Sequence, residues 1–124
     1  MFKKSFIVGM GGSLGALLRY LVGSLFPTIA FPLSTLTINI IGCFLLGGIT
    51  SLAGRNKLSE KFTLLLGTGF CGGFTTISTF SFESFTLFHD SPILSYLYML
   101  SSGILAVGAG LLGIIVGRSK GRRL

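Results

Sequence analysis

Residues 69–80 read GFCGGFTTISTF. The stretch lies where the chain should be crossing a lipid bilayer, yet it holds three glycines, four hydroxyl side chains and few strong helix formers. Glycine disfavours a helix interior by about 1 kcal/mol relative to alanine, and Ser and Thr offer the backbone competing hydrogen bonds. A non-helical turn at membrane depth survives only where it is buried in protein or lines a water-filled cavity. The fold turns on what such a break is for.

The surrounding sequence establishes that a membrane is involved. Half of the 124 residues are apolar and 10% are charged, against about a quarter charged in soluble domains. Four segments, at about 5–26, 33–53, 62–88 and 93–117, exceed the roughly 20 residues that a helix needs to cross about 30 Å of hydrocarbon. PTIAFP (27–32), GRNKLSEK (54–61) and HDSP (89–92) separate them with turn and helix-end signals. The expected architecture is an all-α membrane protein: one domain over 1–124, four transmembrane helices, the third broken. The first segment is too long for a signal-peptide core, and no A-x-A-like cleavage site follows it. So little mass outside the membrane argues against a soluble-type catalytic apparatus, and the chain is not expected to be an enzyme. Cys43 and Cys71 sit inside apolar spans with no second metal-ligand residue beside either, the pattern of small buried thiols.

Charge sets the orientation. Alternating the sides puts Lys3, Lys4, Arg55, Lys57, Lys61, Arg118, Lys120, Arg122 and Arg123 on one side, while 27–32 and 89–92 carry no Lys or Arg. The positive-inside rule then makes both termini cytoplasmic. RSKGRR (118–123) is read as topological, and no nucleic-acid partner is expected.

FIVGMGGSLGALLRY (6–20) imitates a dinucleotide-binding turn, but the last glycine position is Leu14 and no acidic residue follows about 20 positions on. Helix packing explains it better: Gly11 and Gly15 are four apart and admit another backbone. Gly103, Gly110 and Gly117 recur at sevens, with Gly113 four before Gly117. Arg19 lies about two-thirds along the first span. A lone charge there implies a partner or an aqueous path, or else snorkels to the interface. Glu83 is the acidic residue within the spans that could pair with it. Asn39, one turn after Thr35, must hydrogen-bond something, either as an interhelical clamp or as a pore-lining donor. The 69–80 break frees carbonyls at the end of one half-helix and N–H groups at the start of the next, so it can build sites for both signs of charge. Thr75, Thr76, Ser78 and Thr79 can line a path, with a kinked helix carrying back-bonded hydroxyls as the plainer reading. Most of the phenylalanines at 70, 74, 80, 82, 85 and 88 suit lipid or core, although a buried ring edge carries partial positive charge.

Three blocks together, GGSLGALLRY (11–20), Asn39 followed by Gly42, and GFCGGFTTISTFSFE (69–83), resemble the small fluoride-specific ion channels known as the Fluc or CrcB family, over essentially the full length. The resemblance implies four helices with the third broken, in an antiparallel dimer whose subunits insert in opposite orientations. It implies passive fluoride efflux through two pores in a prokaryotic cell membrane, which lowers toxic cytoplasmic fluoride. It implies a central structural sodium ion, not transported, held by backbone carbonyls of Gly72 and Thr75. Asn39 corresponds to a pore-lining position, Ile77 and Phe80 to the two aromatic-box positions, and Ser78, Thr79, Ser102 and Tyr98 to a hydroxyl track. One departure stands out: Ile77 occupies a position usually held by Phe. Phe80 alone could suffice, Phe74 could help, or a partner subunit could supply the ring. The charge bias adds a second expectation, that this subunit inserts one way and pairs with an oppositely oriented homologous subunit. The competing class is a small proton-coupled multidrug exporter using Glu83, which sits late in the third span without a Trp/Tyr cage. A purely structural membrane adaptor is the third.

Overall fold

The computed structural model describes residues 1–26 and 31–123; the turn signal at Pro27 lies outside them. Every regular element among the described residues is helical. Three helices are long and apolar enough to cross a membrane: α1 (Phe2–Leu25), α2 (Leu33–Gly54) and a last helix (Pro92–Arg123). Their apolar windows have mean hydropathies of 1.4, 1.9 and 2.2.

Residues 60–90, which include the segment expected at 62–88, form two helices. The first, α3, covers 60–74 and changes character along its length. It opens at Glu60–Phe62, where the Ser59 hydroxyl accepts from the Phe62 amide at 3.4 Å. It continues as a π-helix over Thr63–Cys71 and closes as an α-turn at Gly72–Phe74. Wide π turns are rare and cluster at functional sites. Thr75 is then extended, with ψ 159°, and helix resumes as α4 (Ser78–Asp90). The last helix, Pro92–Arg123, is α5.

Two pairs of parallel helices form the body: α1 lies along α3, and α2 along α5. Lipid tails are as apolar as leucine, so no hydrophobic force separates helix contact from lipid contact, and close backbone approach through small residues decides the pairing. A Cβ on Gly11 would strike the Leu65 carbonyl, and one on Gly15 the Phe70 carbonyl. In the second pair, Gly113 faces the Phe44 carbonyl, Gly117 the Gly48 carbonyl, and Gly47 the Gly110 carbonyl. The expected repeat at sevens is therefore partial: Gly103 meets open space. α4 turns back on α5, where the Ser95 hydroxyl donates to the Ser84 carbonyl at 2.7 Å.

The pairs share one end. Lys4 of α1 pairs with Glu60 at the start of α3, and the ammonium holds the Glu60 carboxyl below its usual range. Arg55 Nη1, just past α2, donates to the Arg118 carbonyl at 3.1 Å. Between them α2 stops in a Schellman motif: Asn56 takes a positive φ of 56°, and Lys57 and Asn56 donate to the Leu52 and Ala53 carbonyls. These contacts gather the basic residues of 3–4, 55–61 and 118–122 at one end of the bundle, as the charge pattern requires.

A Cβ on Gly108, by contrast with one on Gly113, would meet nothing within 4 Å. Gly113→Ala is expected to lower the thermal midpoint in detergent by an amount equivalent to roughly 1–3 kcal/mol through overpacking against backbone. Gly108→Ala is expected to leave it unchanged or to raise it by up to about 1 kcal/mol through helix propensity. Equal effects of the two substitutions would show that backbone contact does not set the α2–α5 pairing.

Candidate functional site

The backbone groups of the break find partners beside it in the chain and on other helices. The Thr75 amide and hydroxyl both reach back to the Cys71 carbonyl, at 3.0 and 2.9 Å. The Thr79 amide, which would close the next turn, donates instead to the Thr76 hydroxyl at 3.2 Å, so Thr76 caps α4. Among the described residues no backbone amide donates to the Thr75 or Thr76 carbonyl. Side chains do. Asn39 Nδ2 donates to the Thr76 carbonyl at 3.0 Å while its Oδ1 accepts from the Thr76 amide at 2.9 Å. Arg19 Nη1 donates to the Thr75 carbonyl at 3.4 Å. A buried peptide group without a partner costs about 1–3 kcal/mol, so these contacts are what a break in apolar surroundings requires.

Asn39 is thus the interhelical clamp, and it also faces open space. It has two N–H groups, one of which is used on Thr76, and it lines a cavity of about 590 Å3. Arg19, Gly72, Thr75, Ile77, Ser78, Phe80 and Ser102 line the same cavity, so most residues singled out in the sequence converge. Ser102 is only 7% exposed and its hydroxyl has no hydrogen-bond partner among the described residues. Cys43 also lines the cavity. Nothing in the sequence separated it from an ordinary core thiol; Cys71 is the one that is fully packed.

Thr79 and Glu83 fall elsewhere. They line a second cavity of about 390 Å3, with Arg19 and Thr76 shared between the two. Glu83 is not ion-paired with Arg19. Thr35 Oγ1 donates to Glu83 Oε1 at 2.8 Å, and the Tyr98 hydroxyl to Oε2 at 3.1 Å. Tyr98 is fully buried, with its ring 5.1 Å from that of Phe80 and meeting Phe31 edge-on at 5.6 Å. The hydroxyl track therefore divides, with Ser78 and Ser102 in one cavity, Thr79 in the other, and Tyr98 buried and lining neither. Phe74 is buried and stacked on Phe70 at 5.7 Å, in the core rather than at the cavity.

A cation at this break would meet neutral oxygens, because no three His, Cys, Asp or Glu side chains gather among the described residues. Gly72 and Thr75 border one cavity, and the Thr75 carbonyl stands outside the helical ladder. Carbonyl oxygen suits a hard cation. The Arg19 guanidinium on the same carbonyl is the feature that such an ion would have to share space with.

A family profile described as "CrcB-like protein, Camphor Resistance (CrcB)" matches residues 6–117. A protein of Azobacteroides pseudotrichonymphae genomovar. CFP2 named fluoride-specific ion channel FluC is 42% identical over 121 residues, covering 94% of this chain and 97% of the relative. Proteins of the same name from Chlorobium phaeobacteroides (strain BS1) and Pyrococcus abyssi (strain GE5 / Orsay) are 46% and 36% identical. They cover 85% and 94% of this chain, and 88% and 97% of their own lengths. With the profile spanning nearly all of the chain and the relatives matching it almost end to end, the chain belongs to the CrcB family.

Proposed function

We propose that the chain is a subunit of a fluoride-selective ion channel through which fluoride leaves the cytoplasm passively, so that toxic fluoride is lowered without an energy-coupled step. The observation that carries this reading is the Asn39 amide, fixed on Thr76 at the cavity wall with an N–H to spare. A small, tightly hydrated anion needs donors in place of its water, and they must be weak enough to release it. The Asn39 N–H, the partnerless Ser102 hydroxyl and the Phe80 ring are such groups. No covalent bond is made or broken, so the chain is not an enzyme on this reading.

On the same reading α3 and α4 together make a fourth crossing interrupted at 75–77, and the subunit works in an antiparallel dimer in a prokaryotic cell membrane. The Gly72 and Thr75 carbonyls would hold a structural sodium ion at the interface, which supplies positive charge that joins carbonyl dipoles of two subunits. Ile77 is 75% exposed in the isolated chain, and a partner covering it could bring the ring that this position lacks. Basic residues at one end of the bundle favour one-way insertion with both termini cytoplasmic, and hence a second, oppositely oriented homologous subunit. The exporter reading needs a carboxylate free to exchange protons for substrate, whereas both Glu83 oxygens are held by hydroxyls.

Three outcomes are expected. In liposomes holding the chain with an oppositely biased homologue, a fluoride electrode should record efflux that Asn39→Ala lowers by at least about tenfold, since two backbone groups lose their partners. Efflux should remain electrogenic in Glu83→Gln; loss of electrogenic efflux there would favour the exporter. In cells, tags on both termini of the chain expressed alone should be shielded from an impermeant reagent. Mixed labelling together with robust efflux from the lone chain would end the one-way reading.

A further inference from the structure

Arg19 carries a full charge into the first span, and its surroundings are unusual. No carboxylate lies within ion-pair distance among the described residues, and Glu83, the acidic side chain nearest in the fold, is occupied by Thr35 and Tyr98. Arg19 borders both cavities, so it stands in the wall between them. Among the described residues its one polar contact is the Thr75 carbonyl. That oxygen has no backbone donor, and it is one of the two carbonyls assigned above to sodium.

We infer that Arg19 is a tethered cation of the helix break, competing with sodium for the Thr75 carbonyl and thereby setting the sodium affinity of the site. The inference rests on the sodium reading given under the proposed function. A carbonyl has two lone pairs and can accept from two sides. Two positive charges on one oxygen, however, stand only a few ångströms apart in surroundings far less polarisable than water, where like-charge repulsion is strong. The guanidinium reaches the carbonyl as a fixed donor of the same chain, so it needs no ion from solution and holds Thr75 out of the helical register while sodium is absent. A neutral donor of similar polarity would remove the repulsion and leave the cavity otherwise intact. Arg19 is a positioning residue here, acting through the Thr75 carbonyl.

The test is a sodium titration read by thermal unfolding of the purified channel in detergent, with N-methylglucamine replacing sodium at constant ionic strength. All variants are purified in sodium and then exchanged. Arg19→Gln should reach half of its sodium-induced stabilisation at a sodium concentration at least about tenfold lower than the wild type. It should also melt below the wild type when sodium is withdrawn. Arg19→Lys, which keeps the charge, should stay within about threefold of the wild type. Arg55→Gln removes a positive charge at the far basic end and should not move the titration. If Arg19→Gln and the wild type half-saturate at the same sodium concentration, the competition is refuted while the sodium site stands. If neither protein responds to sodium, the sodium reading falls and this inference with it.

Discussion

The peptide group of Thr76 is the point on which the other arrangements depend. A chain that leaves helical geometry at membrane depth must give each freed N–H and carbonyl a new partner, because hydrocarbon supplies none. The Asn39 amide meets both groups of Thr76 at once, as a neighbouring strand would. With its backbone satisfied from the side, Thr76 can turn its hydroxyl to the Thr79 amide and start α4. The break is therefore an ordered joint, fixed to α2, with α4 leaving it in a defined direction. Had the same peptide been solvated by chance waters, nothing would orient the cavity that it borders.

What brings the right side chains to this joint is glycine, used one turn away. Gly15 lets α1 touch the backbone of α3 at Phe70, and Arg19, four residues on and on the same face, then reaches Thr75. On α2 the same logic runs along a single stripe. Thr35 bonds Glu83, Asn39 bonds Thr76, and Gly42 makes room for the Thr75 methyl. Their spacing of four and then three residues is one helical face, so one surface of α2 positions both sides of the break. The contacts between Gly47, Gly113 and Gly117 and their facing backbones fix α5 against α2, and with it Ser102 at the cavity and Tyr98 against Glu83.

Much of this was legible in the chain. The concentration of glycine and hydroxyls located the interruption, because both features oppose continuous helix. Asn39 announced a bonding requirement from its burial in an apolar span, and Gly11 and Gly15 announced close approach. The partners were not legible. Ser78 and Thr79 are expected on one track, but both lie in α4, where adjacent side chains point about 100° apart, and they line different cavities. Arg19 and Glu83 are complementary on paper. Each instead satisfies a demand that a sequence does not display, a laddered-out carbonyl for one and two hydroxyl donors for the other. The seven-residue glycine repeat failed at Gly103 because α5 runs past the α2 contact there and borders the cavity.

The distribution of charge then constrains how two such subunits can meet. The ends of this bundle differ: one holds the Lys4–Glu60 pair, the Arg55 contact to α5 and every Lys and Arg except Arg19, while the opposite end carries only His89 and Asp90. On the proposed antiparallel reading, the strongly basic end of one subunit would lie beside an end of the other that carries only His89 and Asp90, too little charge of opposite sign to balance it. Contact on that reading would centre at mid-height, where the break exposes Ile77, Ser78 and the carbonyl-bearing cavity. It would then rest recognition on a few positions around 72–80. Ile77, 75% exposed, is among the most exposed of them. A partner of the proposed kind, recognised there, would need to fit this chain only at the joint, which is compatible with the opposite charge bias at its ends.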